Sequence, residues 1–70
     1  MPNLKAIGRR VRLLRAKKGL NQKELAELVA ICPETLCRIE KGKQKPAHKT
    51  GYDIAKVLGV DFDFLMDDSE

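Results

Sequence analysis

The strongest local signal in this chain is a well-marked helix start followed closely by a second one. In Leu20-Asn21-Gln22-Lys23-Glu24-Leu25, Asn21 stands as an N-cap and Glu24 as the N3 residue of a capping box. Leu20 and Leu25 take the N′ and N4 positions of a hydrophobic staple. The helix so begun is predicted to run to about Val29, with Leu25, Ala26 and Val29 inward. Pro33 is tolerated at the first position of a helix and poorly elsewhere, so a second helix runs from Pro33 to about Glu40 and stops at Gly42. About three residues join the two, and so short a link makes helices cross steeply rather than lie antiparallel. Ala26 is small where they approach, and Ile31 plugs the gap. With Leu36 and Ile39 inward, the second helix turns Glu34, Thr35, Cys37, Arg38 and Lys41 outward.

Helical spacing also governs the rest of the chain. Leu4, Ile7, Val11 and Leu14 form one helical face, capped by Asn3 and ended by Gly19, which predicts a helix over about 4–18. Lys17 and Lys18 suit the negative end of its dipole. Lys41 to Pro46 is a basic loop. A fourth helix covers about 47–58, with Ile54, Ala55 and Leu58 buried, and stops at Gly59. Asp61 caps a short fifth helix over about 62–66. No stretch alternates as a strand would, and no segment repeats. The 70 residues are therefore expected to form one all-α domain over 1–70. A chain this short buries only ~60% of its unfolded surface, so its stability margin is thin.

Several functions are excluded by what is scarce. No apolar run approaches the roughly 18 residues that span a bilayer. The opening MPNLKAIGRRVRLL has no signal-peptide core, so a cytoplasmic location without membrane partners is expected. Two Cys and one His are too few for a disulfide scaffold or a four-ligand zinc site, and no metal or cofactor is predicted. There is no base–nucleophile pair and no glycine-rich phosphate loop, so an enzyme is not expected. Cys32 and Cys37, five apart on a helix, stand about 8 Å apart at Cα, too far for a disulfide. Ser-like packing and capping is the role expected of them.

Charge is unevenly spread. Residues 1–49 hold 13 of the 14 Lys and Arg and 4 of the 10 acids, a net +9. Residues 50–70 carry a net −5, with an acidic end at 67–70. A basic body attracts polyanions, nucleic acid above all, although solubilising lysines on a small helical protein would look similar.

A scaffold helix, a tight turn and a helix presented outward, here over 22–40, is the layout of a DNA-binding helix-turn-helix. At this point the residues carry a resemblance. QKELAELVAICPETLCRIEKGKQKP, together with LRAKKGLNQ before it and IAKVLGV after it, resembles the helix-turn-helix of Cro/phage-repressor-like (XRE-type) regulators. The resemblance implies a five-helix, lambda-repressor-like domain that binds operator DNA as a two-fold dimer. It also implies that Arg15 and Glu40 form a structural ion pair tying the end of the first helix to the end of the third. The chain departs from the pattern at Ala30, where Gly is usual in the turn, and at Cys32 and Cys37, where Ser is common. It departs again at Ala47, where Ser usually caps the fourth helix, and at Gly51, where a core Leu is usual. Gly51 is expected to weaken its helix and to leave packing unfilled.

Within that layout Arg38 and Glu34 are the expected base contacts, Arg to guanine O6 and N7 and Glu to cytosine N4. Their alternative is an i,i+4 salt bridge, which can form in the free protein. Pro33 and Cys37 complete the expected base contacts on the same face, Pro33 being able to press on a thymine methyl. Asn21, Gln22, Thr35, Lys43 and Lys45 are the expected phosphate contacts, through a helix start, a hydroxyl and loop lysines. Phe62, Phe64, Leu65 and Met66 are the candidate dimer patch, the alternative being that they complete the core. The function expected is repression from a short palindromic operator as a homodimer. Two rivals stand beside it. One is an antitoxin module that binds a partner protein first. The other is a controller of a restriction–modification locus.

Overall fold

The computed structural model describes residues 3–68. They form five α-helices: α1 (Leu4–Lys17), α2 (Gln22–Leu28), α3 (Pro33–Glu40), α4 (His48–Leu58) and α5 (Phe62–Leu65). There is no strand among the described residues. One apolar cluster of Ile7, Val11, Leu25, Ala26, Val29, Leu36, Ile54, Ala55, Leu58 and Leu65 is drawn from all five. The helices α1, α3 and α4 are amphipathic at the 3.6-residue period, so each buries one stripe against the others.

The helix ends follow local chemistry. Asn3 Oδ1 accepts the Ala6 amide at 3.0 Å. Asn21 Oδ1 accepts the Glu24 amide at 2.7 Å, and Glu24 Oε1 accepts the Asn21 amide at 2.8 Å, completing the capping box. At the turn after α2, the Ile31 amide donates to Ala26 O at 3.0 Å and the Ala30 amide to Glu27 O at 3.3 Å. That is a Schellman closure, which needs a left-handed residue at C′. Ala30 takes that role at φ 58°, and it is exposed. An alanine there is strained by about 1–2 kcal/mol. Part of this is offset by the lower unfolded-state entropy of Ala relative to Gly. Ala30→Gly is therefore expected to stabilise the domain by about 1 kcal/mol, read as a higher denaturant midpoint at unchanged m-value. An unchanged or lower midpoint counts against strain at this turn.

α3 is fixed in place by α1. A Cβ built on Gly8 would stand under 3.0 Å from the carbonyl oxygens of Ile39 and Glu40, so the α1 backbone lies directly on the last turn of α3. Arg10, also on α1, caps α5: its Nη1 donates to the carbonyls of Phe64, Leu65 and Asp67 at 3.0, 2.9 and 2.9 Å. Its guanidinium lies 5.4 Å from the centroid of the Phe64 ring, within cation–π range.

Five expectations are corrected. Asp61 stands at the N-cap of α5 but makes no side-chain capping bond, and neither does Cys32 at the start of α3. Gly51 leaves no packing unfilled: Met66 Sδ and the Phe62 ring lie 3.0 and 3.2 Å from where its Cβ would be. The small residue on α4 lets α5 come closer. Leu65 has no exposed surface, so it belongs to the core and cannot line a dimer patch. Glu34 and Arg38 do not pair; Arg38 turns to a residue of the following loop.

Candidate nucleic-acid interface

Leu36, Ile39 and Glu40 are buried, and they hold the inner side of α3 against the core. The opposite side carries Pro33, Glu34, Arg38 and Lys41, all exposed, with Thr35 and Cys37 half-buried at its flanks. Glu34, Arg38 and Lys41 follow the i, i+4, i+7 stripe, farthest from the core. Cys32 and Cys37 are both free thiols.

The base of this helix is a polar cluster. Arg15 Nε donates to Glu40 Oε2 at 2.7 Å and Arg15 Nη2 to Glu40 Oε1 at 3.0 Å, a two-pronged contact. Arg15 Nη1 donates to Leu20 O at 2.9 Å. Gln22 Nε2 donates to Glu40 Oε1 at 2.9 Å. The Glu40 side chain is only 3% exposed, so it acts inside the fold and not on a ligand. The hydrogen bond to Glu40, ahead of the opposing burial and the added Coulomb attraction, raises the Arg15 guanidinium further above its usual range. Through this cluster the end of α3 is tied to α1 and to the first turn of α2.

Around α3 lie the other predicted contacts. Asn21 is exposed, with its side chain occupied as a cap. Gln22 is half-buried, with its amide nitrogen held by Glu40. Lys43 and Lys45 are exposed in the loop after α3. Phe62 and Met66 are half-buried, and Phe64 is 54% exposed. Phe62 packs against the ring of His48 at 4.8 Å and faces that of Tyr52 at 6.0 Å. The predicted patch therefore divides into one core residue, two that partly cover α4 and one that projects.

Three contacts had no expectation behind them. Gln22 reaches Glu40, Arg10 caps α5, and Gln44 Oε1 accepts from Arg38 Nε at 3.1 Å. Each joins residues on different elements, and no local pattern marks such pairs. The one usable signal was Gly42, whose chain reversal returns residue 44 toward α3.

A scaffold helix and an outward helix, braced by a part-buried ion pair and bordered by lysines, define a helix-turn-helix DNA-binding domain. The helix-turn-helix family model matches residues 11–65. An HTH-type transcriptional regulator of Archaeoglobus fulgidus is 41% identical over 63 residues, covering 87% of this chain and 90% of the relative. The CTXphi transcriptional repressor RstR from Vibrio cholerae is 38% identical over 61 residues, covering 87% of this chain and 55% of RstR. Among solved structures, the restriction-modification controller C.AhdI from Aeromonas hydrophila superposes with a TM-score of 0.82. It is 29% identical, over 89% of this chain and 94% of C.AhdI. The biofilm regulator SinR in complex with DNA superposes at 0.78 with 32% identity, over 84% of this chain and 95% of the SinR chain in that complex. The chain belongs to the XRE-type helix-turn-helix family of DNA-binding transcriptional regulators.

No helix among the described residues is long and apolar enough to cross a membrane.

Proposed function

We propose that this protein is a repressor that binds a short palindromic operator as a homodimer, by binding alone and without catalysis. The observation that carries this reading is the exposed stripe of Glu34, Arg38 and Lys41 on a helix whose other side is fully engaged in the core. Arg38 and Glu34 read base edges from mid-helix, with Pro33 and Cys37 against the groove wall. Asn21, Gln22, Thr35, Lys43 and Lys45 hold phosphates. The dimer contact is formed around Phe64, with Tyr52 beside it. Both are more than half exposed; Tyr52 lines one shallow depression at α4 and α5 and Phe64 a second, and Ala55, Lys56, Val60 and Asp61 line both. Similarity to RstR supports repression. Similarity to C.AhdI supports a second reading, control of a restriction–modification locus, which uses the same DNA-binding face.

Selection of bound sites from random duplex DNA tests the reading directly. Two recognition helices on one DNA face sit about 34 Å apart, so half-sites centred ~10 bp apart are expected. An asymmetric selected site together with a monomeric mass in solution defeats the homodimer.

Reading and positioning separate by mutation. Arg38→Ala is expected to cost about 1–3 kcal/mol on the selected site and to relax preference at one base pair per half-site. Lys43→Ala is expected to weaken specific and nonspecific duplexes alike, and to lower the salt slope by about one unit per subunit. Binding each variant to every single-base-pair change of the site gives the answer. A uniform loss for Arg38→Ala makes Arg38 a phosphate clamp and passes base readout to Glu34 and to DNA shape.

A further inference from the structure

Arg38 does not stand alone on its helix. Its Nε donates to Gln44 Oε1 at 3.1 Å, a residue six positions on and outside the helix. The backbone explains how Gln44 arrives there. The Gly42 amide donates to Ile39 O at 3.1 Å and the Lys43 amide to Arg38 O at 2.9 Å, a Schellman reversal that folds the chain back along α3. Gly42 makes it possible on two counts: its φ is +74°, and a Cβ there would stand 2.8 Å from Lys5 Cα and 2.9 Å from Lys5 N. The loop is thus seated on α1 at one end, and buried Pro46 anchors it at the other. Gln44, half-buried between these anchors, presents its carbonyl oxygen to Nε, the nitrogen that an end-on guanine grip through Nη1 and Nη2 leaves unused. A two-bond grip on guanine O6 and N7 takes two of the five donors in the arginine fork.

We propose that Gln44 is the positioning residue for base readout by Arg38. It holds the guanidinium plane through Nε so that the remaining edge faces the groove, and so contributes to specificity at a base pair it does not itself touch. This rests on Arg38 reading a base. In the free protein the bond is exposed to water and worth little. When DNA excludes water from the interface it strengthens, because a hydrogen bond gains in a lower dielectric.

The test is a double-mutant cycle on the selected operator and its single-base-pair changes, using wild type, Arg38→Ala, Gln44→Leu and the double variant. Denaturant unfolding of each gives the folded fraction. Gln44→Leu is expected to reduce discrimination about three- to tenfold, the range of one net hydrogen bond, and only at the base pair that Arg38→Ala relaxes. Its effect is expected to vanish in the Arg38→Ala background. The salt slope is expected to stay at the wild-type value, which a merely structural or phosphate-binding role would not predict. Gln44→Glu keeps the acceptor and is expected to keep discrimination at that base pair while overall affinity falls from phosphate repulsion. If Gln44→Leu and Arg38→Ala lose affinity additively, Gln44 acts independently and the proposal fails while base reading by Arg38 stands. If Arg38→Ala relaxes no base pair, base reading fails and the proposal with it.

Discussion

Arg15→Met is expected to lower the free energy of unfolding by about 3–5 kcal/mol, the cost of leaving one member of a buried pair without its partner. A 70-residue domain has roughly 4–10 kcal/mol in total, so the loss removes about a third of it or more. The reason lies in the inventory around Glu40. Its carboxylate is 3% exposed and takes three donated hydrogen bonds, two from Arg15 and one from Gln22. Without Arg15, one amide faces a buried negative charge, and Leu20 O loses its donor as well. Denaturant titration reads the loss as a lower midpoint at unchanged slope. The double variant Arg15→Met with Glu40→Leu is expected to recover most of it, because no buried charge remains to be matched. The sign of the pH dependence follows from the raised Arg15 pKa. The stabilisation from its charge is fully present below the ordinary arginine range and is lost only as pH rises through the raised value, above any physiological assay. A single variant that costs under about 1 kcal/mol would mean that water reaches Glu40 and that the pair does not brace α3.

The contrast between this pair and the helices marks how far the sequence alone could be read. Capping box, staple, N1 proline and glycine stops are local rules, satisfied within about five residues, and all four long helices fell within a residue or two of their predicted ends. Ala30 was legible only through the family resemblance, as a departure from the usual turn Gly, and its positive φ is what makes that departure a strain. Arg15 and Glu40 lie 25 residues apart, and no local rule joins them; only the family resemblance implied the pair. Arg10 and the α5 carbonyls are 54 to 57 residues apart and were not foreseen. Leu65 and Phe64 are adjacent apolar residues on a four-residue helix, too short for periodicity to say which one faces the core. Packing decided it: Leu65 inward without exposure, Phe64 outward under Arg10. Glu34 and Arg38 had the right spacing for an ion pair, yet the loop reversal at Gly42 supplied Arg38 with a closer partner. Spacing tells which residues share a face, and the fold decides which of them touch.

Affinity for the operator is expected to fall about 10³–10⁵-fold between 50 and 200 mM salt, the largest change that any experiment on this protein should produce. The magnitude follows from the charge on the face proposed to meet DNA. Lys23 on α2, Arg38 on α3 and Lys41, Lys43 and Lys45 after it are all exposed. A dimer offers twice that set, and roughly 6–10 phosphates neutralised gives a slope of log K against log salt near −5 to −9. Apart from Glu34 on that stripe and Glu24 and Glu27 on α2, the exposed acids of the described residues lie toward α4 and α5. Asp53 is on α4 and already meets Lys49 at 3.1 Å, and Asp61 and Asp63 lie at α5. Separated in this way, the acidic part orients the domain in the field of the duplex without cancelling the basic face. The measurement is a titration of labelled operator duplex at several salt concentrations, with a scrambled duplex alongside. The scrambled duplex is expected to bind more weakly with a similarly steep slope, since phosphate contacts are common to both and base contacts are not. A slope near zero on the operator would remove DNA as the ligand of the basic face and make a protein partner its occupant.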